Sequence, residues 1–166
     1  LKLMNRHYTP AYYNDLLKRI RLDNPLIAIG TDLIVGFPGE SEPDFEDTCD
    51  FIIKQDFSKV HVFRFSPRKG TAAASFSGRV PGPIQEVRSR KVQTIALESS
   101  SNYALKFVGK QVEVLFEEQT ASGWTGLSGE YMRTEIKTEQ NLKNSIKKVL
   151  IIGTSGNILK GECVSN

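Results

Sequence analysis

The segment IAIGTDLIVGFPGE, residues 27–40, constrains the fold more than any other part of the chain. Its apolar residues form a nearly continuous run, interrupted by Thr31 and Asp32. Such a run is typical of a strand that is covered on both faces, as in parallel α/β sheets. The Gly-Phe-Pro-Gly that follows predicts a tight turn, because glycine lacks a Cβ atom and proline fixes the backbone angle φ. Turns at the carboxyl ends of parallel strands often hold ligands, and a simple strand-to-helix connection is the alternative.

Helix and strand patterns alternate around this strand. Residues 10–22 and 42–54 carry apolar side chains at helical spacing, and residues 57–65, FSKVHVFRF, alternate as a strand does. Helix–strand–helix–strand order predicts a parallel sheet or barrel built from right-handed βαβ units. Residues 1–79 are too few for an eight-stranded barrel, which needs about 200 residues. We therefore expect a partial barrel with an open sheet edge, taken from a longer protein.

The second half of the chain has a different pattern. Residues 80–107 begin with VPGP, a linker signal, and continue as a helix that either packs on the first unit or bridges to the second. Residues 108–166 contain short alternating segments between glycine turns, which predict a small β-barrel. Such barrels often bind RNA, although nearby glutamates make solvated faces the better reading on charge alone. The RNA-binding candidates are Trp124, Tyr131, Arg133, Lys137, Lys143, Lys147 and Lys148.

Composition and cysteine content narrow the class of protein. The net charge of +3 permits an RNA partner without arguing for one. No apolar run approaches the ~20 residues that cross a bilayer, and no signal peptide is present, so we predict a cytoplasmic protein without a membrane partner. Cys49 and Cys163 are the only cysteines, and their wide separation predicts neither a disulfide framework nor a metal site. Cys49 is expected to be buried within its helix.

Four stretches together resemble the tRNA methylthiotransferases, a radical S-adenosylmethionine (SAM) family. They are LKLMNRHYT, TDLIVGFPGE, HVFRFSPRKGTAAA and the closing β module, and the resemblance covers essentially the whole chain. It implies an α/β fold that comprises the C-terminal half of a radical-SAM (β/α) barrel, followed by a small OB-like TRAM barrel that binds RNA. The HVF before SPR resembles the branch that acts on N6-threonylcarbamoyladenosine more than the branch that acts on isopentenyladenosine.

The resemblance implies a reaction and its cofactors. Such an enzyme adds a methylthio group at C2 of a modified adenosine just 3′ of the tRNA anticodon, using SAM and two [4Fe–4S] clusters. The family holds its radical cluster with C-x-x-x-C-x-x-C, which is absent from this chain. Because thiolates hold such clusters, we expect no cluster here and no activity from this chain alone. The sulfur donor and the oligomeric state are open.

The resemblance also assigns roles to residues. It places SAM near the glycine turn and the end of the next strand, at Thr31, Asp32, Gly36, Phe37, Pro38, Gly39, Arg64, Ser66 and Arg68. Two roles are open for Thr31 and Asp32, a contact with SAM or the target base and a tie to a neighbouring strand. Arg68 is assigned to the SAM carboxylate or a tRNA phosphate, with an ion pair to a barrel carboxylate such as Glu40 as its alternative. His61 is expected to pack rather than to catalyse.

The RNA-binding role in the barrel falls to Tyr131, Arg133, Lys147 and Lys148. A second hypothesis of another class stays open, namely a non-catalytic RNA-binding module that carries an α/β remnant. The coding sequence upstream of Leu1 distinguishes the two hypotheses, because only the enzyme requires a C-x-x-x-C-x-x-C motif there.

Overall fold

A computed structural model gives the fold and describes residues 1–164. Residues 165 and 166, the end of the predicted barrel segment, lie outside the described residues. The first unit consists of α1 (Pro10–Asp23), β1 (Gly30–Val35), α2 (Glu42–Gln55), β2 (Lys59–Arg64), a short 3-10 helix (Ala72–Ser75) and α3 (Gly82–Leu105). The second consists of β3 (Gln111–Thr120), β4 (Gly123–Ser128), β5 (Arg133–Ile136), β6 (Ser145–Ser155) and β7 (Ile158–Cys163).

Strands β1 and β2 pair in parallel, as their βαβ order predicts. The three helices cover one face of this sheet, and β1 contributes Val35 to the core between them. The core residues on that side are Leu17, Val35, Phe45, Cys49, Ile52, Phe57 and Val92. The expectation that β1 is covered on both faces is wrong for residues 1–164, because Gly30, Asp32 and Ile34 are exposed on the other face. A two-stranded parallel sheet is compatible with a piece of a larger α/β barrel, and that barrel stays a prediction.

The helix starts follow from capping chemistry that the sequence displays. The hydroxyl of Thr9 accepts a hydrogen bond from the N–H of Tyr12, and Pro10 follows at the first helical position. Ser41 and Asp44 form a reciprocal capping box at the start of α2. Hydrogen bonds from the Ser41 side chain and backbone lower the pKa of Asp44, which keeps its charge beside the positive end of the helix. Cys49 is buried in α2, as predicted.

The five remaining strands form a closed barrel in the order β3-β4-β5-β7-β6, which confirms the predicted small β-barrel. All neighbours are antiparallel except β5 and β7, which run in parallel. Neighbouring strands approach closely at Gly126 and Gly161. A Cβ atom at Gly126 would meet the carbonyl oxygen of Leu115, and one at Gly161 would meet that of Leu150. Trp124 is 4% exposed and fills the barrel core. Its assignment as an RNA-binding candidate is therefore wrong.

Helix α3 belongs to both units. Val92 packs in the core of the α/β unit, whereas Tyr103 and Phe107 fill the end of the barrel core. The hydroxyl of Tyr103 donates a hydrogen bond of 2.7 Å to the carbonyl of Leu26, which precedes β1. The helix thus both packs along the first unit and bridges to the second, so that the two units share one rigid element.

The pH dependence of folding should reveal the buried phenol of Tyr103. Burial, with a contribution from Glu130, raises the pKa of Tyr103 to about 12. The unfolded phenol titrates near pH ~10. The stability contributed by the neutral phenol is therefore fully present below about pH 10 and is lost as the pH rises through about 12. We expect the free energy of unfolding, from urea titrations between pH 7 and 11.5, to fall steeply above pH 10 in the wild type.

Tyr103→Phe should flatten that fall, because no titrating phenol remains at this position. Its stability at pH 7 should be lower by about 1–3 kcal/mol, since the Leu26 carbonyl loses its donor. Tyr131→Phe is the matched control, because Tyr131 is 81% exposed. Equal alkaline slopes in Tyr103→Phe and Tyr131→Phe would contradict the assignment.

Candidate functional site

The loop after β1 is closed by its own backbone and by one carboxylate. The Oε2 atom of Glu40 accepts a hydrogen bond of 2.8 Å from the N–H of Gly36. The N–H of Gly39 donates to the carbonyl of Gly78 at 2.8 Å, and the N–H of Glu40 donates to the carbonyl of Phe37 at 2.9 Å. Gly36 and Gly39 have positive φ values of 74° and 86°, which favour glycine. The amides of Gly36 and Gly39 therefore serve the loop itself, so they do not form an anion-binding cradle.

A buried arginine from α3 holds this loop in place. Nη1 of Arg88 donates to Oε2 of Glu40 at 2.5 Å and to the Glu40 carbonyl at 3.1 Å, and Nη2 donates to Oε2 of Glu42 at 2.7 Å. The guanidinium also lies 5.0 Å from the centroid of the Phe45 ring. Burial by itself lowers the pKa of Arg88, but hydrogen bonds to Glu42 and Glu40 outweigh it and raise the pKa. We call this group the Arg88 clamp.

The Arg88 clamp is not apparent from the sequence. Arg88 is in fact 6% exposed, and it contacts residues that lie 46 and 48 positions earlier in the chain. A sequence pattern that spans only a few residues cannot reveal contacts between residues so far apart in the chain. The clamp also bears on the ion pair considered for Arg68, because the carboxylate of Glu40 pairs with Arg88. The expected alternative of an ion pair between Arg68 and Glu40 is therefore wrong.

Thr31 and Asp32 point to opposite sides of β1. The hydroxyl of Thr31 accepts a hydrogen bond of 3.4 Å from the hydroxyl of Tyr13 in α1, so it faces the helices. Asp32 is exposed on the other side of the sheet. The two residues therefore do not act as one polar pair, and of the two only Asp32 faces away from the helices.

Arg64, Ser66 and Arg68 are all exposed around the carboxyl end of β2. The carbonyl of Arg68 accepts hydrogen bonds from the N–H and the hydroxyl of Thr71 at 3.1 Å and 2.8 Å. These bonds fix the backbone of the segment, and the side chain of Arg68 is exposed. At the same end of the sheet, the Phe37 ring packs edge-on against Phe65 at 5.2 Å and Phe76 at 6.1 Å.

The side of the sheet that the helices leave uncovered is called here the open sheet face. It consists of Gly30, Asp32 and Ile34 from β1 and Lys59, His61 and Phe63 from β2. The register places Asp32 beside His61 and Ile34 beside Phe63. The rings of His61 and Phe63 are 6.5 Å apart with an interplanar angle of 25°. The packing role expected for His61 is wrong, because its side chain is exposed on this face.

Tyr131 stands out among the barrel candidates. It is 81% exposed and has a φ of 57° in the turn between β4 and β5. The Ser128 hydroxyl shapes this turn by accepting hydrogen bonds from the N–H groups of Glu130 and Met132 at 3.2 Å and 3.3 Å. Because φ values near +57° are uncommon for large residues, the turn holds the ring outward at some cost in backbone energy.

The basic RNA-binding candidates of the barrel lie on strands β5 and β6. Arg133 begins β5 and is 3.9 Å from Glu118. Lys147 and Lys148 are exposed on β6, beside Val114 and Glu113 of β3 respectively. Val114 pairs in turn with Ser128, the residue that shapes the Tyr131 turn. The barrel therefore brings these lysines and the Tyr131 turn to the same level, two strands apart.

The described residues do not fit an iron–sulfur cluster. Cys49 is 2% exposed in the α/β core, whereas Cys163 lies at the end of β7 in the barrel. Across residues 1–164 no group of three or more His, Cys, Asp or Glu side chains is placed to hold a metal ion. Since clusters of this kind need several thiolates at one place, no chemical step is assigned to such a cluster in this chain. None of the helices in the described part of the chain has the length and apolarity to cross a membrane.

The relatives of this chain agree on one enzyme name. No family model matches the sequence. The relatives include several proteins named tRNA-2-methylthio-N(6)-dimethylallyladenosine synthase. The proteins from Moorella thermoacetica, Aquifex aeolicus and Lachnoclostridium phytofermentans are 37%, 36% and 36% identical over 99%, 98% and 100% of this chain. The chain spans 38%, 37% and 37% of the length of those proteins. Similarity along its whole length supports a relationship with the tRNA methylthiotransferases.

The Arg88 clamp gives a direct test of what holds the loop. Arg88→Met removes the cation and leaves the Glu40 carboxylate, whose side chain is 11% exposed, without its partner. Breaking a buried pair in this way costs about 3–5 kcal/mol. We expect a loss of that size in the free energy of unfolding. Hydrogen exchange at the Gly36 amide should accelerate relative to wild type by more than exchange at amides of the barrel does.

Arg90→Met is the matched control for this experiment. Arg90 pairs with Glu86 one helical turn away, and its side chain is 76% exposed. Exposed pairs of this kind contribute about 0.5 kcal/mol or less. Similar losses in Arg88→Met and Arg90→Met would show that the buried clamp does not stabilise the loop.

Proposed function

We propose that this chain is part of a tRNA methylthiotransferase, which adds a methylthio group at C2 of a modified adenosine 3′ of the anticodon. The observation that carries the proposal is the similarity of at least 97% of the chain to synthases of that name at 35–37% identity. Because the chain spans only about 38% of the first of these relatives, the complete activity needs sequence outside it. The radical-SAM class of the reaction and the cytoplasmic location are part of the same proposal.

The identity of the modified adenosine is a finer part of the proposal. The names of the relatives specify N6-dimethylallyladenosine for those proteins. The HVF sequence at His61–Phe63 instead resembles the branch that acts on N6-threonylcarbamoyladenosine. We propose threonylcarbamoyladenosine as the substrate here, and the dimethylallyl compound is the alternative that a nucleoside analysis must distinguish.

The proposed SAM site lies at the carboxyl end of the two-stranded sheet. When bound, SAM supplies the deoxyadenosyl radical and the methyl group of the overall reaction. The Phe37 ring, supported by Phe65 and Phe76, offers a flat apolar surface suited to an adenine ring. The exposed guanidinium groups of Arg64 and Arg68 suit the SAM carboxylate, because guanidinium presents a fixed fork of donors.

The remaining predicted residues have narrower roles in this proposal. Ser66 lies between Arg64 and Arg68 and contributes a hydroxyl to the same edge, and Asp32 reaches the ligand side of the sheet. Gly36, Pro38 and Gly39 shape the loop that carries Phe37. Thr31, which bonds Tyr13, supports the strand from the helix side. Because successive side chains of a strand point to opposite faces, Thr31 faces away from the ligand side, and we propose no contact between Thr31 and SAM.

The barrel is proposed to be the TRAM domain that holds the tRNA. Lys147, Lys148 and Arg133 supply positive charge for phosphate groups, and the outward ring of Tyr131 supplies a stacking surface for a base. Phosphate contacts position an RNA without reading its sequence, so base selection falls to the other unit. The proposed division runs through residues 1–79, the connecting segment 80–107 and the barrel 108–166.

A non-catalytic RNA-binding module is the second candidate function. It is favoured by the barrel with its exposed Tyr131 and lysines, since the five strands close on one another within the described residues. The upstream coding sequence decides between the candidates. A C-x-x-x-C-x-x-C motif in the same reading frame supports the enzyme, and an open reading frame that lacks it supports the module.

Reversal of two lysines tests the RNA interface. In the chain carrying Lys147→Glu and Lys148→Glu, affinity for an anticodon stem–loop RNA should fall about tenfold or more at low salt. The slope of log affinity against log salt should flatten by about two, one for each phosphate contact removed. Fluorescence anisotropy between 50 and 200 mM KCl measures both quantities.

The control carries the same change in charge on the α/β unit. Lys18→Glu and Lys54→Glu alter exposed residues of α1 and α2, so they should reduce affinity only through the weaker long-range field. If both double variants bind RNA equally well, Lys147 and Lys148 are a solvated face and the RNA-binding surface lies elsewhere.

A further inference from the structure

We propose that the outer surface formed by α2 and the first half of α3 is a docking site for a partner protein, which binds there through a basic amphipathic helix. The site is a groove of about 450 Å³ between the two helices. We call it the α2–α3 groove, and its lining includes Phe45, Ile84, Val87, Arg88 and Lys91. The inference goes beyond the proposed function, because the residues proposed for SAM and for RNA lie elsewhere.

The two helices run side by side in the same direction. Arg88 of α3 contacts Glu42 of α2 at 2.7 Å. About one turn further along both helices, Lys91 contacts Glu46 at 2.7 Å. The ion pairs advance together, so the outward sides of α2 and α3 form one continuous surface. A groove between two helices accepts a third helix, whose apolar side chains recur at positions i, i+3, i+4 and i+7.

Apolar side chains are exposed along this surface. Ile84 is 45% exposed and Val87 is 67% exposed, and they lie three residues apart on one face of α3. The buried ring of Phe45 lies below them in the groove. On α2, Ile53 is 57% exposed. Exposed apolar surface with a polar rim is typical of a protein interaction site.

A buried donor in the groove has no acceptor. Arg88 donates through Nη1 to Glu40 and through Nη2 to Glu42. Its Nε atom is buried and has no hydrogen-bond partner within residues 1–164. An unpaired buried N–H group is unfavourable. We assign it to a carbonyl oxygen at the C-terminal end of the docked helix, because the last carbonyls of a helix have no partner within it.

The charge of the surface indicates the chemistry of the partner. Between residues 42 and 53, α2 carries five carboxylates and no cationic side chain. Only Glu42 and Glu46 of these form ion pairs with α3 within residues 1–164, and Asp47 and Asp50 are exposed without one. Complementary potentials across an interface favour the right partner and suppress wrong ones, so the docked helix is basic. The same carboxylates repel phosphate groups, which argues against RNA as the occupant.

The test uses the complete protein that contains this chain and two synthetic peptides as probes. Each peptide has about 18 residues, enough to form a helix, with leucines along one face. One peptide carries lysine and arginine at its other positions, and the second carries glutamate there. Fluorescence anisotropy of the labelled peptides measures Kd. We expect the basic peptide to bind with a Kd of about 10–100 µM and the acidic peptide to bind at least about tenfold more weakly.

The apolar contribution is tested by a neutral double variant of the groove. Ile84→Asn with Val87→Asn should raise the Kd of the basic peptide about tenfold or more, because two apolar contacts are lost. Leu97→Asn with Leu105→Asn is the matched control. These leucines are 63% and 56% exposed on the same helix and do not line the groove, so Kd should not change.

The charge contribution is tested separately by reversing one carboxylate. Asp50→Lys should raise the Kd of the basic peptide about two- to fivefold, the size expected for an exposed charge pair. Asp15→Lys on α1 is its control, since the Asp15 side chain is 71% exposed and lies on another helix. Melting curves close to wild type by circular dichroism show that each variant is folded, and Val87→Asn alone replaces the double variant if the latter unfolds.

The other outcomes overturn the inference. The absence of basic-peptide binding does so, and so do equal binding of both peptides or equal effects of the groove and control variants. Self-association that is lost in the groove variant assigns the groove to a second copy of the protein. Loss of affinity for the anticodon stem–loop RNA in that variant assigns it to RNA. None of these measurements uses methylthiolation, so each leaves the proposed function standing.

Discussion

The structure depends on one helix being packed into two cores at once. At one end of α3, Val92 lies in the core of the α/β unit, and at the other end Tyr103 and Phe107 fill the barrel. Neither end can move without exposing apolar surface, and fully burying one large apolar side chain is worth about 1.5–3 kcal/mol. The rigid helix therefore fixes the loop at the carboxyl end of β1 relative to the barrel. In the proposed function, this connection would keep a constant distance between the barrel and the loop that follows β1.

The same helix also determines the shape of the loop. Arg88 reaches from α3 to the carbonyl and the carboxylate of Glu40, and that carboxylate accepts the N–H of Gly36. A charge in this position must be paired, since an unpaired buried ion is strongly unfavourable. The glycine-rich loop is thus held by a charge network behind it, rather than being free to wrap around an anion. The Phe37 ring of this loop is partly buried against Phe65 and Phe76.

The two units offer different kinds of surface to a nucleic acid. The barrel presents lysines and an outward tyrosine, which suit phosphates and stacked bases without sequence preference. The open sheet face instead presents an aromatic ring, a histidine and an aspartate within one short ladder. In the proposed function, RNA affinity falls to the barrel and the reaction to the α/β unit, and substitutions in one should leave the other largely intact because the two surfaces share no residue.

The sequence by itself determined the elements whose causes are local. Periodicity predicted the helices and strands, and glycine turns predicted the small barrel. The caps at Thr9 and Ser41 likewise act within three residues of the chain. Only the tertiary structure decided which residues face which neighbour. Alternation could not show that one side of β1 is open, that Trp124 fills the barrel or that His61 is exposed. Nor could it find Arg88, whose partners are 46 and 48 residues away. The physical reason is that burial and charge pairing are set by contacts between distant segments, whereas caps and turns are set within a few residues.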